Sequence, residues 1–136
     1  MVVLAGGNPY SQYREQSAAT ASPGELTLML YDGCVKNLKL SKLYIGERDY
    51  AKANDTSKKA QAIVDELIKT LDLRYDVASQ MLSLYDFVLR TIVEGNVQKD
   101  AAKIDTAIEF ISELRDTWHQ AVRLNRQKVM VSGGHI

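Results

Sequence analysis

Both prolines of this chain, Pro9 and Pro23, lie near its start, so from Gly24 onward no residue forbids helix. Apolar residues beyond that point recur at three-and-four spacing, which is the signature of helices that each bury one face. Ser22 is a strong N-cap, Pro23 fits the first helical position, and Glu25, three residues after Ser22, completes a capping box. The first helix is therefore expected over 23–45, with Gly46 as a left-handed stop. Asp49 caps a second helix over 50–71, which carries Ala60, Ile63, Val64, Leu67, Ile68 and Leu71 on one stripe. A change of apolar phase rather than a breaker sets the next boundary, with Asp76 as cap and a third helix over 77–94 that Gly95 ends. Asp100 caps the fourth, over 100–126, whose stripe runs from Ile104 to Val122 against Asp105, Glu109, Glu113 and Asp116 outside.

Four helices with short joints predict an all-α, antiparallel up-and-down four-helix bundle over 22–127. An N-terminal arm over 1–21, partly disordered and with a short helix that packs on the bundle, precedes it, and a disordered tail over 128–136 follows. At 136 residues the chain suits one domain, and 46% hydrophobic with 25% charged residues is ordinary globular composition. Leu30-Tyr31-Asp32 recurs as Leu84-Tyr85-Asp86, too short a match to define a repeat.

Function is narrowed first by what is missing. Lys plus Arg and Asp plus Glu balance at 17 each, so no net field draws the chain to nucleic acid or anionic lipid. No apolar run approaches membrane-spanning length, and Val2-Val3-Leu4-Ala5 is too short for a secretion signal, which points to the cytoplasm. The single Cys34 sits inside an apolar-periodic run and reads as a packed thiol. Two histidines give no catalytic triad. Asp116-x-x-His119 resembles half of a di-iron pair, but no second histidine on another helix completes it, so no metal, cofactor or catalytic residue is assigned. Arg123, Arg126 and Lys128 suit the negative end of the fourth helix.

The apolar surface is more informative. On a helical wheel Leu26, Leu28, Met29, Leu30 and Tyr31 point almost all the way round, and the third helix is nearly as broad, with Phe87 off its main stripe. A bundle core uses one stripe per helix, so the surplus needs a cover, either internal or foreign. Tyr10 and Tyr13 share a face if the arm is helical, making the arm one candidate: a fixed cover, or a loose one that yields its groove to an amphipathic partner segment. The competing reading is a self-associating bundle whose surplus serves a homodimer.

Asn8-x-Tyr10-x-x-Tyr13, Thr20-Ala21-Ser22-Pro23-Gly24-Glu25-Leu26 and Met29-Leu30-Tyr31-Asp32-Gly33 together resemble the signature of the FliS family of flagellin secretion chaperones. The resemblance continues in Leu84-Tyr85-Asp86-Phe87, Glu94-Gly95-Asn96 and Leu114-Arg115-Asp116-Thr117-Trp118, and so covers Asn8 to Arg123. Ala18 departs from it where a larger branched residue is usual, and Gly95 where alanine is usual; the latter would shorten the third helix. The resemblance implies a helical bundle that binds the disordered C-terminal segment of flagellin, prevents premature polymerisation and escorts it to export, with no reaction catalysed. The export gate and accessory flagellar regulators become further expected partners. Carried over by position, Tyr10 and Tyr13 belong to the displaceable arm, and Leu26, Met29, Tyr31, Met81 and Tyr85 line or support the groove. Ser22, Pro23 and Glu25 are read as structural.

Overall fold

The computed structural model describes residues 22–131, with side chains to Leu124. The arm over 1–21, with Tyr10 and Tyr13, and the last five residues of the expected tail lie outside the described residues. Four helices follow one another: α1 (Pro23–Gly46), α2 (Tyr50–Lys69), α3 (Asp76–Gln98) and α4 (Ala101–Val131). They form an antiparallel bundle in which α1 packs on α2 and α4, and α3 on the same two helices from the opposite corner. The antiparallel register of α1 and α4 is visible in the pairs Lys42–Asp105 and Asp32–Arg115.

The first helix begins as local chemistry dictates. The Glu25 N–H donates to Ser22 Oγ at 3.2 Å while the Glu25 carboxylate accepts from the Ser22 N–H, satisfying two donors that a helix start leaves over. Asp49 likewise accepts from the Lys52 N–H at 3.2 Å, and Asp100 from the Ala102 N–H at 3.0 Å.

Other boundaries differ from expectation. Gly46 stays within α1, and the left-handed residue is Arg48, with φ 61°. Gly95 does not end the third helix, which continues to Gln98 and stops at Lys99 in the left-handed conformation with φ 54°. Gly95 instead serves close approach: a Cβ there would lie 2.7 Å from Ile104 Cδ1, so glycine lets the start of α4 come near without Ile104 having to shift. Asp76 is the first residue of α3 rather than its cap. The cap position is Tyr75, extended and without a side-chain bond, as a phenol offers no short acceptor to the helix start, and the preceding carboxylate, Asp72, bonds the Arg74 backbone and guanidinium. The second helix ends at Lys69, where the Thr70 hydroxyl donates to the Leu67 carbonyl at 2.6 Å. The fourth runs on to Val131, past the expected stop, since no breaker occurs before Gly133 and basic residues favour a helix C-terminus.

The core is built from Leu30, Tyr31, Cys34 and Leu38 of α1, Ile63, Val64 and Leu67 of α2, Val88 and Ile92 of α3, and Ile104 and Ile111 of α4. Toward the α1–α2 connection the filling turns polar: Ser41 and Thr56 hydroxyls meet at 2.7 Å, Asn37 donates to the Gly33 carbonyl, and Asn96 donates to Asn54 at 2.9 Å. This end is closed. Phe87, off the main stripe of α3, packs on Phe110 of α4 with ring centroids 5.0 Å apart, so part of the surplus on α3 is used within the molecule.

Candidate functional site, an apolar cavity at the open end of the bundle

The opposite end, where α1 begins, α2 passes into α3 and α4 leaves the bundle, holds a cavity of about 880 Å³. Its origin is a size contrast along two diagonal helices. Tyr31 of α1 and Tyr85 of α3 meet hydroxyl to hydroxyl at 2.5 Å across the core. Two large residues placed head to head set the separation of α1 and α3, and the smaller Thr27 and Ala78, one and two turns further out, do not fill it. Both tyrosines are almost fully buried and line the cavity, so they form its floor.

The walls are apolar. α1 contributes Leu26 and Leu30, α3 contributes Met81, and α4 contributes Leu114. The rim carries exposed apolar side chains, Tyr75 and Val77 each 62% exposed and Trp118 37% exposed. Among the described residues Asp72 is the one charged residue on the lining, and its bond to Arg74, through the side chain first and the backbone second, holds its carboxyl below the usual range. Trp118 is fixed by donating its indole N–H to the Gly24 carbonyl at 2.9 Å, and a Cβ on Gly24 would come within 3.0 Å of Val122, so α4 lies tight on the first turn of α1. Outside this contact Arg115 bonds Asp32 at 2.6 Å and Asp116 at 3.1 Å. Those exposed pairs orient more than they stabilise.

Leu26, Tyr31, Met81 and Tyr85 thus fall together on one cavity, whereas Met29 is not on its wall: the residues facing the cavity are those on the side of Thr27 and Leu30, and Met29 points to another side of α1. Tyr75, Val77, Leu114 and Trp118 were not singled out from sequence as groove residues. The sequence places Tyr75 in the turn before the third helix and Val77 at that helix's first residue, and only the α1–α4 pairing brings Trp118 to the mouth.

Burial pushes the Cys34 thiol up to about 12, leaving it protonated and inert. Burial and then the shared hydrogen bond raise Tyr31 far above the ordinary phenol range, and burial raises Tyr85. Among the described residues no group of three His, Cys, Asp or Glu side chains could hold a metal, and no helix is long and apolar enough to cross a membrane. His119 lies off the cavity wall, with Nδ1 buried and without a hydrogen-bond partner among the described residues.

Among the described residues this is an all-helical bundle with an apolar cleft, a wide mouth and an aromatic rim, a shape of the kind that amphipathic helices occupy in helix-in-groove complexes. Comparison with known proteins gives the lineage. The family described as Flagellar protein FliS matches residues 6–125, and the chain belongs to this family of flagellar secretion chaperones. It is 37% identical over 127 residues to the flagellar secretion chaperone FliS of Bacillus subtilis, covering 93% of this chain and 96% of that one. The corresponding Salmonella typhimurium protein is 29% identical over 124 residues, covering 88% and 92%. A crystal structure of a flagellar chaperone from bacteria superimposes with a TM-score of 0.69 at 20% identity, covering 84% of this chain and 94% of that one, which shows a shared fold.

Proposed function

We propose that this chain holds the amphipathic C-terminal segment of flagellin in the open-end cavity, within the cytoplasm, and delivers it to the flagellar export apparatus without catalysing a reaction. The cavity carries the reading: an apolar cleft of about 880 Å³ with an exposed aromatic rim is unfavourable in water unless something apolar fills it. Flagellin subunits associate through amphipathic terminal helices, and a chaperone that buries one such face blocks polymerisation. Ordering a disordered client costs about 2 to 5 kcal/mol of the gross interaction energy, so the contact must be long and largely apolar.

The arm enters this reading by its point of attachment. Residues 1–21 join the bundle at Ser22, next to Pro23 and Gly24 on the cavity lining, so Tyr10 and Tyr13 are tethered beside the site they are proposed to cover and release. The export gate and accessory flagellar regulators are further partners; nucleic acid and membrane insertion have no part.

Pull-down against flagellin with and without its C-terminal segment tests the proposal. Capture of the intact protein alone is expected, and equal capture of both overturns it. Deleting Met1 to Thr20 is expected to give tighter or faster binding; lost binding would make the arm part of the site. If sedimentation instead shows a stable dimer that flagellin does not dissociate or join, the exposed rim serves self-association.

A further inference from the structure

Tyr31 and Tyr85 bring two phenol hydroxyls together on the cavity floor, and their mutual bond uses one proton of two. In such a pair one hydroxyl donates and the other accepts, so one O–H is left over. Neither hydroxyl has another hydrogen-bond partner among the described residues, and the two side chains are only 1% and 3% exposed. A donor in that position is unfavourable unless whatever fills the cavity supplies an acceptor.

We propose that the client segment completes this pair, laying the neutral carboxamide of an Asn or Gln on its otherwise apolar face against the Tyr31 and Tyr85 hydroxyls. The inference rests on the groove reading above and names the polar group within it. Other acceptors fit less well. Main-chain carbonyls of a bound helix are already engaged in its own ladder. Ser and Thr hydroxyls on a helix turn back to the carbonyl one turn before them. Among the described residues the wall carries no cation and its one charged side chain, Asp72, is itself acidic, so a carboxylate would be poorly met there. A carboxamide reaches further than a hydroxyl and carries no charge. Burial raises both phenols above the ordinary range, which favours their neutral, donating form.

The site then selects against a purely apolar client, as a polar group built into an apolar pocket rejects a ligand that leaves it unmet. This gives the cleft register: a helix sliding by one turn would carry its carboxamide off the pair.

The test uses the full chain and the C-terminal fragment of flagellin from the same bacterium, measured by calorimetry as a double-mutant cycle. The chain is wild type or Tyr31→Phe/Tyr85→Phe; the fragment is unaltered or has each Asn and Gln changed in turn to Leu. The double variant is expected to bind the unaltered fragment about tenfold more weakly. One fragment substitution should lose about tenfold on the wild-type chain and regain it on the double variant, a coupling that a merely structural role would not produce. The double variant should also melt within about 5 °C of wild type, since removing both partners together leaves nothing unmet. Purely additive losses, undiminished binding by the double variant, or its failure to fold would each overturn the inference. Absence of any binding by the wild-type chain would overturn the groove reading itself.

Discussion

The two ends of this bundle use the same four helices in opposite ways. At the closed end small and polar residues let the helices approach: Gly95 admits Ile104, Ser41 meets Thr56, and Asn96 reaches Asn54. At the open end two tyrosines meet between α1 and α3, and beyond them the space between Thr27 and Ala78 is left open and walled by Leu26, Leu30 and Met81. One end is therefore joined by close polar contacts, and the other keeps the space that the proposed client would fill. The difference teaches that a groove in a helical bundle needs no inserted element: residue size along two diagonal helices is enough to make it.

The layer between the ends gives the largest expected effect. Cys34 is fully buried, and its thiol lies at about 12 in the folded chain against an ordinary 9.0. A group whose folded value is raised contributes stability that is complete below the unfolded value and is lost above it. Unfolding free energy should thus hold up to about pH 9 and then fall, by up to ~4 kcal/mol from this thiol as pH nears 12. Denaturant titrations across that range check it, and Cys34→Ala should flatten the slope.

Gly95→Leu should cost ~2 to 3 kcal/mol by overpacking against Ile104, whereas Met81→Ala at the open end should cost less than ~1.5 kcal/mol, since Met81 is half-buried beside an existing void. Equal costs, read from denaturant midpoints, would erase the contrast between the ends. Ser22→Ala is expected to lower stability by ~1 kcal/mol through loss of the cap while partner affinity stays intact; an unchanged midpoint counts against the capping box. Asp32→Asn, which breaks an exposed ion pair with Arg115, should change stability by no more than ~0.5 kcal/mol, and less still in high salt.

Sequence revealed what depends on neighbours a few residues away and missed what depends on neighbours across the bundle. Ser22, Pro23 and Glu25 mark the start of α1 because a cap is a local device, and the apolar stripes of α2 and α4 follow from helical period alone. Gly95 reads locally as a stop, yet its reason is Ile104 on another helix, which no spacing reveals. Asp76 looks like a cap until Asp72 and Arg74 shape the turn and leave the position to Tyr75. A wheel that is apolar all round makes Leu26 and Met29 equivalent; only packing turns one into the cavity and the other aside. Trp118 reaches the mouth through its bond to Gly24, distant in the chain, and so carries no local sign of that place.

The central claim is that recognition resides at the open end. Affinity for the C-terminal fragment of flagellin, compared between Met81→Asp on the cavity wall and Val97→Asp on the exposed surface of the closed end, tests it most directly. Both variants add one negative charge to α3. The account predicts at least a tenfold loss for Met81→Asp and no more than about a twofold change for Val97→Asp. Equal losses, or a larger loss at Val97, would contradict it.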